Sequence, residues 1–234
     1  MRFILSLFLI ISFNLNAITP SDSRPAYTRD KTNFLDGGDL CPKDDPTKYG
    51  HHLVLVDATA HLNTVQVELV ERLILSREHL DQIAPWDRLT IMMLYGEAPS
   101  KNRPIFSKCR PRSGNPSYHK VDAVNKWVET EKDLKVVYEQ LFIGGVKKAM
   151  NTIADPQEPE GGMTNFGSPI LGQIKEISRL PDILFTPNSG YESRKLTIVS
   201  DLAQNTKRIP FYDLCKKKCP TWDKVKNNRK YKLW

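Results

Sequence analysis

The chain has 234 residues, 40% hydrophobic and 9% aromatic, which suits one full-sized domain with a buried core and argues against a disordered or low-complexity chain. Its formal net charge of +7 is uneven: Thr206–Trp234 holds ten Lys/Arg and two Asp/Glu, leaving 24 basic and 25 acidic residues before it. A nucleic-acid footprint over the whole domain is therefore not expected. The excess belongs to a basic C-terminal tail, residues 215–234, suited to an anionic membrane surface or simply to solvent.

Met1-Arg2, an apolar run from Phe3 to Phe13 and the small residue Ala17 have the make-up of a secretory leader over residues 1–17. The run is short for a membrane span, with a signal anchor as the alternative. The expected destination is the periplasm or the medium. Residues 18–46 are rich in Pro, Asp, Gly and Lys without periodicity and read as an irregular lead-in. Four cysteines in an exported chain point to two disulfides. Three connectivities exist, of which Cys41–Cys109 with Cys215–Cys219 is preferred because the second pair is local. A zinc site is the alternative, but the spacing of a zinc knuckle is missing.

The domain proper is expected over residues 47–214. His52-Leu53-Val54-Leu55-Val56-Asp57 is an apolar, β-favouring run that ends on a carboxylate, the pattern of a strand buried on both faces of a parallel sheet. Val67, Leu69, Val70, Leu73 and Ile74 then recur at helical spacing over Thr64–Arg77, with Asn63 as N-cap. Arg88–Tyr95 is a second buried strand, so the three elements form a βαβ unit. Ile105–Cys109 is short enough for an edge strand, and Arg110–Pro116 is a Pro/Gly loop.

From about Val121 to Ala154 the pattern is helical, with Gly144-Gly145 marking a kink or break. Ser168-Pro169 opens a helix to about Arg179, with Ser as N-cap and Pro at the first helical position. Lys195–Asp201 is a further strand, again ending on an aspartate. Trp86, Trp127 and Trp222 read as packing anchors. His51 and His52 project to opposite faces of a strand and read as ordinary surface or rim residues.

In open α/β sheets ligands bind beyond the carboxyl ends of the strands. If the strands ending at Asp57 and Asp201 are neighbours, their tips lie about 5 Å apart, and with Thr59 and Ser168 they offer hard oxygen ligands to one divalent cation. The same residues also suit plain capping of strand ends and helix N-termini.

Val-Leu-Val-Asp-Ala-Thr-Ala-His-Leu, Ser-Pro-Ile-Leu and Leu-Thr-Ile-Val-Ser-Asp-Leu-Ala-Gln-Asn resemble the three segments of a von Willebrand factor A-type domain. They are most similar to a bacterial exported group whose first motif is Asp-x-Thr and whose last reads Ser-Asp-Leu-x-Gln-Asn. The resemblance implies a doubly wound, mostly parallel α/β sheet of Rossmann-like type with a metal-ion-dependent adhesion site. By position, Asp57, Thr59, Ser168 and Asp201 match the metal set. Thr164 competes for the place of Ser168. The implied cofactor is a divalent cation, magnesium first, with manganese, calcium or no ion as alternatives. The implied partner is a protein whose acidic side chain completes the coordination.

Two departures stand out. His61 occupies the place of the second serine of the first motif, removing a hard oxygen and favouring a softer ion such as zinc or manganese, or none. The sheet is also expected to end at the Asp201 strand, without the family's last strands, leaving an edge that needs cover or a partner. Catalysis is not expected. A haloacid-dehalogenase-like phosphatase needs Asp-x-Asp where Thr59 stands, and neither a Gly-x-Ser-x-Gly elbow nor a phosphate-binding Gly-x-x-x-x-Gly-Lys loop occurs. The remaining alternatives are a metal-free scaffold of a surface or secretion-associated assembly, and a hydrolase of unrecognised type.

Overall fold

The structure is a computed structural model. It describes residues 9–14, 38–41, 49–57, 62–80, 82–94, 104–124, 126–127, 130–154, 170–177, 179–180, 183 and 191–200. Strands are β1 (Leu9–Asn14), β2 (Gly50–Asp57), β3 (Arg88–Leu94), β4 (Pro104–Cys109) and β5 (Ser193–Ser200). Helices are α1 (Thr64–Ile74), α2 (Arg77–Leu80), α3 (Glu131–Val136), α4 (Gly144–Ala154) and α5 (Ile170–Ile177). A π-helical stretch, Val137–Ile143, joins α3 to α4.

The strands form one mixed sheet in the order β1-β5-β2-β3-β4. β2 is central and parallel to both β3 and β5, while β4 and β1 run antiparallel at the two edges. All eight residues of β2 are buried, as its apolar run requires of a strand covered on both faces. The sheet does not end at β5 as expected: Leu9–Asn14, inside the expected leader, pairs outside it and forms the edge strand.

Helices cover both faces, giving an α/β arrangement of three layers. On one side Val54, Val56, Ile91, Met93 and Val199 pack with Val70 and Ile74 of α1 and Val146, Met150 and Ile153 of α4. On the other, Leu53, Leu55, Met92, Leu196 and Ile198 pack with Ile170 and Ile177 of α5. At about 25 cal/mol per Å², each buried aliphatic side chain contributes roughly 1.5–3 kcal/mol, so the two clusters are the main favourable term.

Asn63 caps α1 through a reciprocal pair. Its Oδ1 accepts from the Gln66 amide and its own amide donates to Gln66 Oε1, both at 2.9 Å. The long helical pattern expected from Val121 begins later, at Glu131, where Thr130 Oγ1 caps the amide of Asp133 at 3.2 Å. Trp127 consequently lies before the helix and is 95% exposed, so it is not the packing anchor expected of it. Trp86 does pack, at 3% exposed.

The expected Gly-Gly irregularity takes the form of the π-helical stretch, which buries Tyr138 and Phe142. Gly145 has a steric reason: a Cβ there would stand 2.8 Å from the ring of Phe106. The same addition at Gly144 meets only a carbonyl at 3.4 Å. Glycine at 145 therefore lets α4 lie against β4.

Cys41 and Cys109 form the expected disulfide, closing a separation of 68 residues, so these two cysteines are not zinc ligands. It ties the lead-in to β4, and Leu40 beside it is 1% exposed. Cys215 and Cys219 lie outside the described residues. No described helix is long and apolar enough to cross a membrane.

Candidate functional site

β2 and β5 are adjacent and parallel, with Val56 opposite Val199, so their carboxyl ends finish side by side. Asp57 closes β2 and is 7% exposed; Ser200 closes β5 and is fully buried. Ser200 Oγ donates to Asp57 Oδ2 at 2.8 Å. This hydroxyl fixes the carboxylate's direction, as partners of metal-ligating carboxylates commonly do. A hard, oriented, largely desolvated carboxylate at a strand end fits a cation of the magnesium or calcium type.

Of the residues assigned to this site from the sequence, Asp57 alone is described. Thr59, His61, Thr164, Ser168 and Asp201 lie outside the described residues. Among the described residues no three His, Cys, Asp or Glu side chains gather around one point. Ser200 was not among the assigned ligands. Its signal lay in the parallel register: the residue before Asp201 falls next to Asp57 once the two strands are neighbours.

The amino ends of the same strands hold a second polar cluster that sequence reasoning missed. His51 and His52 are buried, at 0% and 6% exposed, not at the surface. His51 Nε2 shares a hydrogen bond with Thr90 Oγ1 at 2.9 Å, and Thr90 Oγ1 with Ser107 Oγ at 3.0 Å. Burial, with the nearby charges of Arg88, His52 and Arg194 adding to it, lowers the His51 pKa to about 3. His52 Nε2 lies 3.5 Å from Asp87 Oδ2.

Asp87 also accepts from the amide of Gly50 at 2.6 Å and that of Ala84 at 3.0 Å. A Cβ at Gly50 would lie 2.7 Å from Ser193 Oγ and 2.9 Å from the Asp87 carboxyl. Glycine is thus required where β2 enters the sheet. His79, in α2, bonds through Nδ1 to the Ile74 carbonyl at 3.0 Å, and burial lowers its pKa to about 4. These groups staple the amino ends of β2 and β3 to the preceding turns, a structural task.

A third cluster stiffens the loop after β4. Arg110 clasps Asp122 through both guanidinium nitrogens, at 3.1 and 2.7 Å, with both side chains 1% exposed or less. The Ser113 amide donates to the same carboxylate at 2.8 Å, and the guanidinium lies 5.2 Å from the centre of the Tyr138 ring. The expected Pro/Gly loop is therefore an anchored structure. A shallow groove of about 620 Å³ beside α1 is lined by Glu68, Glu71, Arg72 and Lys147 among others; its mixed charge selects no ligand class.

The chain matches no family model, no curated protein and no solved structure. The candidate site therefore rests on geometry and on the motif resemblance.

Proposed function

We propose that this chain is an exported binding domain of the von Willebrand factor A type, engaging a protein partner at the strand-end notch through a divalent cation. The observation that carries the reading is the Asp57–Ser200 hydrogen bond across the carboxyl ends of two adjacent parallel strands. The mixed sheet with helices on both faces is compatible with the family's doubly wound architecture. Asp57, Thr59, Ser168 and Asp201 would hold the ion, with His61 or Thr164 as alternates. The cation would supply an open coordination position for an acidic side chain of the partner. Ser200 orients the Asp57 carboxylate through its hydrogen bond. Magnesium suits the oxygen donors best; manganese or zinc would gain from the imidazole of His61.

The test is thermal melting during titration with magnesium, manganese or calcium, repeated with Asp57→Ala. A site filled to a hundred times its dissociation constant stabilises by about 2.7 kcal/mol, or roughly 5–10 °C in a chain of this size. No shift with any of the three ions, nor with zinc, would refute the cation. Partner binding that survives chelation would then favour the metal-free scaffold.

A further inference from the structure

The two edges of the sheet are built differently. β4 carries the usual protection against strand pairing: Pro104 at its start, Lys108 near its end, and a register shift against β3 at Ile91/Met92. Ser193–Ser200 has neither proline nor bulge, and its pairings on both sides run without a shift. Its charges, Arg194 and Lys195, stand at one end, and Lys195 is engaged by Gln82. Leu196–Ser200 is buried throughout. β5 thus has the composition of an interior strand, whose amides and carbonyls need partners on both sides.

On its outer side those partners come from Leu9–Asn14, an uncharged, β-favouring hexapeptide paired antiparallel from Leu9 opposite Ser200 to Asn14 opposite Lys195. The same residues fall within a segment with the make-up of a secretory leader. A chain without residues 1–17 has an interior-type strand at its edge.

We propose that Lys195–Ser200 is a strand-acceptor edge. Leu9–Asn14 covers it in the full chain, and in the chain lacking residues 1–17 an extended, uncharged apolar segment of a protein partner pairs there, antiparallel to β5. Main-chain hydrogen bonds supply the affinity in this mode of recognition. A second copy is the poorer occupant, because its own β5 would bring Arg194 and Lys195 into a seat that Leu9–Asn14 fills without charge. The proposal does not depend on the cation at the strand-end notch.

The probe is a fluorescent peptide of the sequence Leu-Ile-Ile-Ser-Phe-Asn with lysines appended for solubility. It is offered to the unmodified full chain, to full-length Ile11→Pro, and to chain from exporting cells shown by mass spectrometry to begin after residue 17. Proline at position 11 removes an amide and disfavours β1 while leaving β2–β5 untouched. The peptide should bind the last two at least about tenfold more tightly than the first. N-methylation of alternate peptide amides should weaken binding on the order of a hundredfold in one phase and little in the other, because only one phase donates to β5. Equal binding to the unmodified chain, or indifference to both methylation patterns, would overturn the proposal. So would a shortened chain that forms a stable dimer and ignores the peptide, or an Ile11→Pro chain with native circular dichroism that does not bind.

Discussion

Acidification from pH 7 to pH 5 should cost this fold stability through two named histidines. His51 and His79 are buried neutral, with pKa values lowered to about 3 and about 4, whereas in the unfolded chain each returns to about 6.5. Between those values the unfolded state binds the proton and the folded state does not, so stability falls as the pH falls. The contribution is fully present above the unfolded value and is lost progressively down to the folded one. At pH 5 each histidine costs about 2 kcal/mol relative to pH 7, roughly 4 kcal/mol together, which corresponds to a melting point lower by on the order of 10 °C. The groups around His51 are Arg88, His52 and Arg194, and those around His79 are His52 and Lys195, so mainly positive charge adds to the effect of burial. Urea unfolding at half-unit pH intervals measures the slope, and His51→Gln, which cannot titrate, should remove about half of it between pH 7 and 5. An unchanged slope in that variant, or a flat profile in the parent, would refute the assignment of a buried neutral imidazole at position 51.

Asp122→Asn leaves the Arg110 guanidinium buried without its counter-charge and should cost about 3–5 kcal/mol in urea unfolding, while Arg110→Met combined with Asp122→Leu should cost less than that single change. Gly145→Ala should destabilise by about 1–3 kcal/mol through overlap with the Phe106 ring. Gly144→Ala, with room for its methyl, should be neutral or stabilising by up to about 1 kcal/mol, both read from denaturation midpoints. Replacing Cys41 and Cys109 together by serine reopens a 68-residue loop and should cost about 4 kcal/mol, read by melting in the absence of reductant.

What the sequence made legible was whatever depends on local pattern. The run from Leu53 to Val56 identified a doubly covered strand because parallel strands bury both faces and cannot alternate. Asn63 marked the start of α1 because its side chain and that of Gln66 satisfy each other three residues apart. The βαβ logic of the chain placed β3 beside β2, whereas the neighbouring of the strands that end near Asp57 and Asp201 was a supposition, which the pairing of β2 with β5 supplies. Long-range polar pairing was not legible. Nothing near His51 in the sequence announces Thr90 and Ser107, and nothing near Arg110 distinguishes a solvated loop from one clamped by Asp122. Trp127 misled because apolar periodicity ran through it, while the cap at Thr130 decided where the helix begins. At the strand-end notch the carboxylate was legible and the serine that orients it was not, since that contact exists only through the register of two strands far apart in the chain.

The bridge between Cys41 and Cys109 has a mechanical consequence. It makes residues 42–108 a closed covalent ring containing β2, α1, α2 and β3. Tension applied to the chain ahead of residue 41 crosses the sulfur atoms and emerges at Arg110, which is clasped by Asp122. The parallel β2–β3 pair lies inside the ring and is bypassed, which leaves the load to the pairings of β5 outside it.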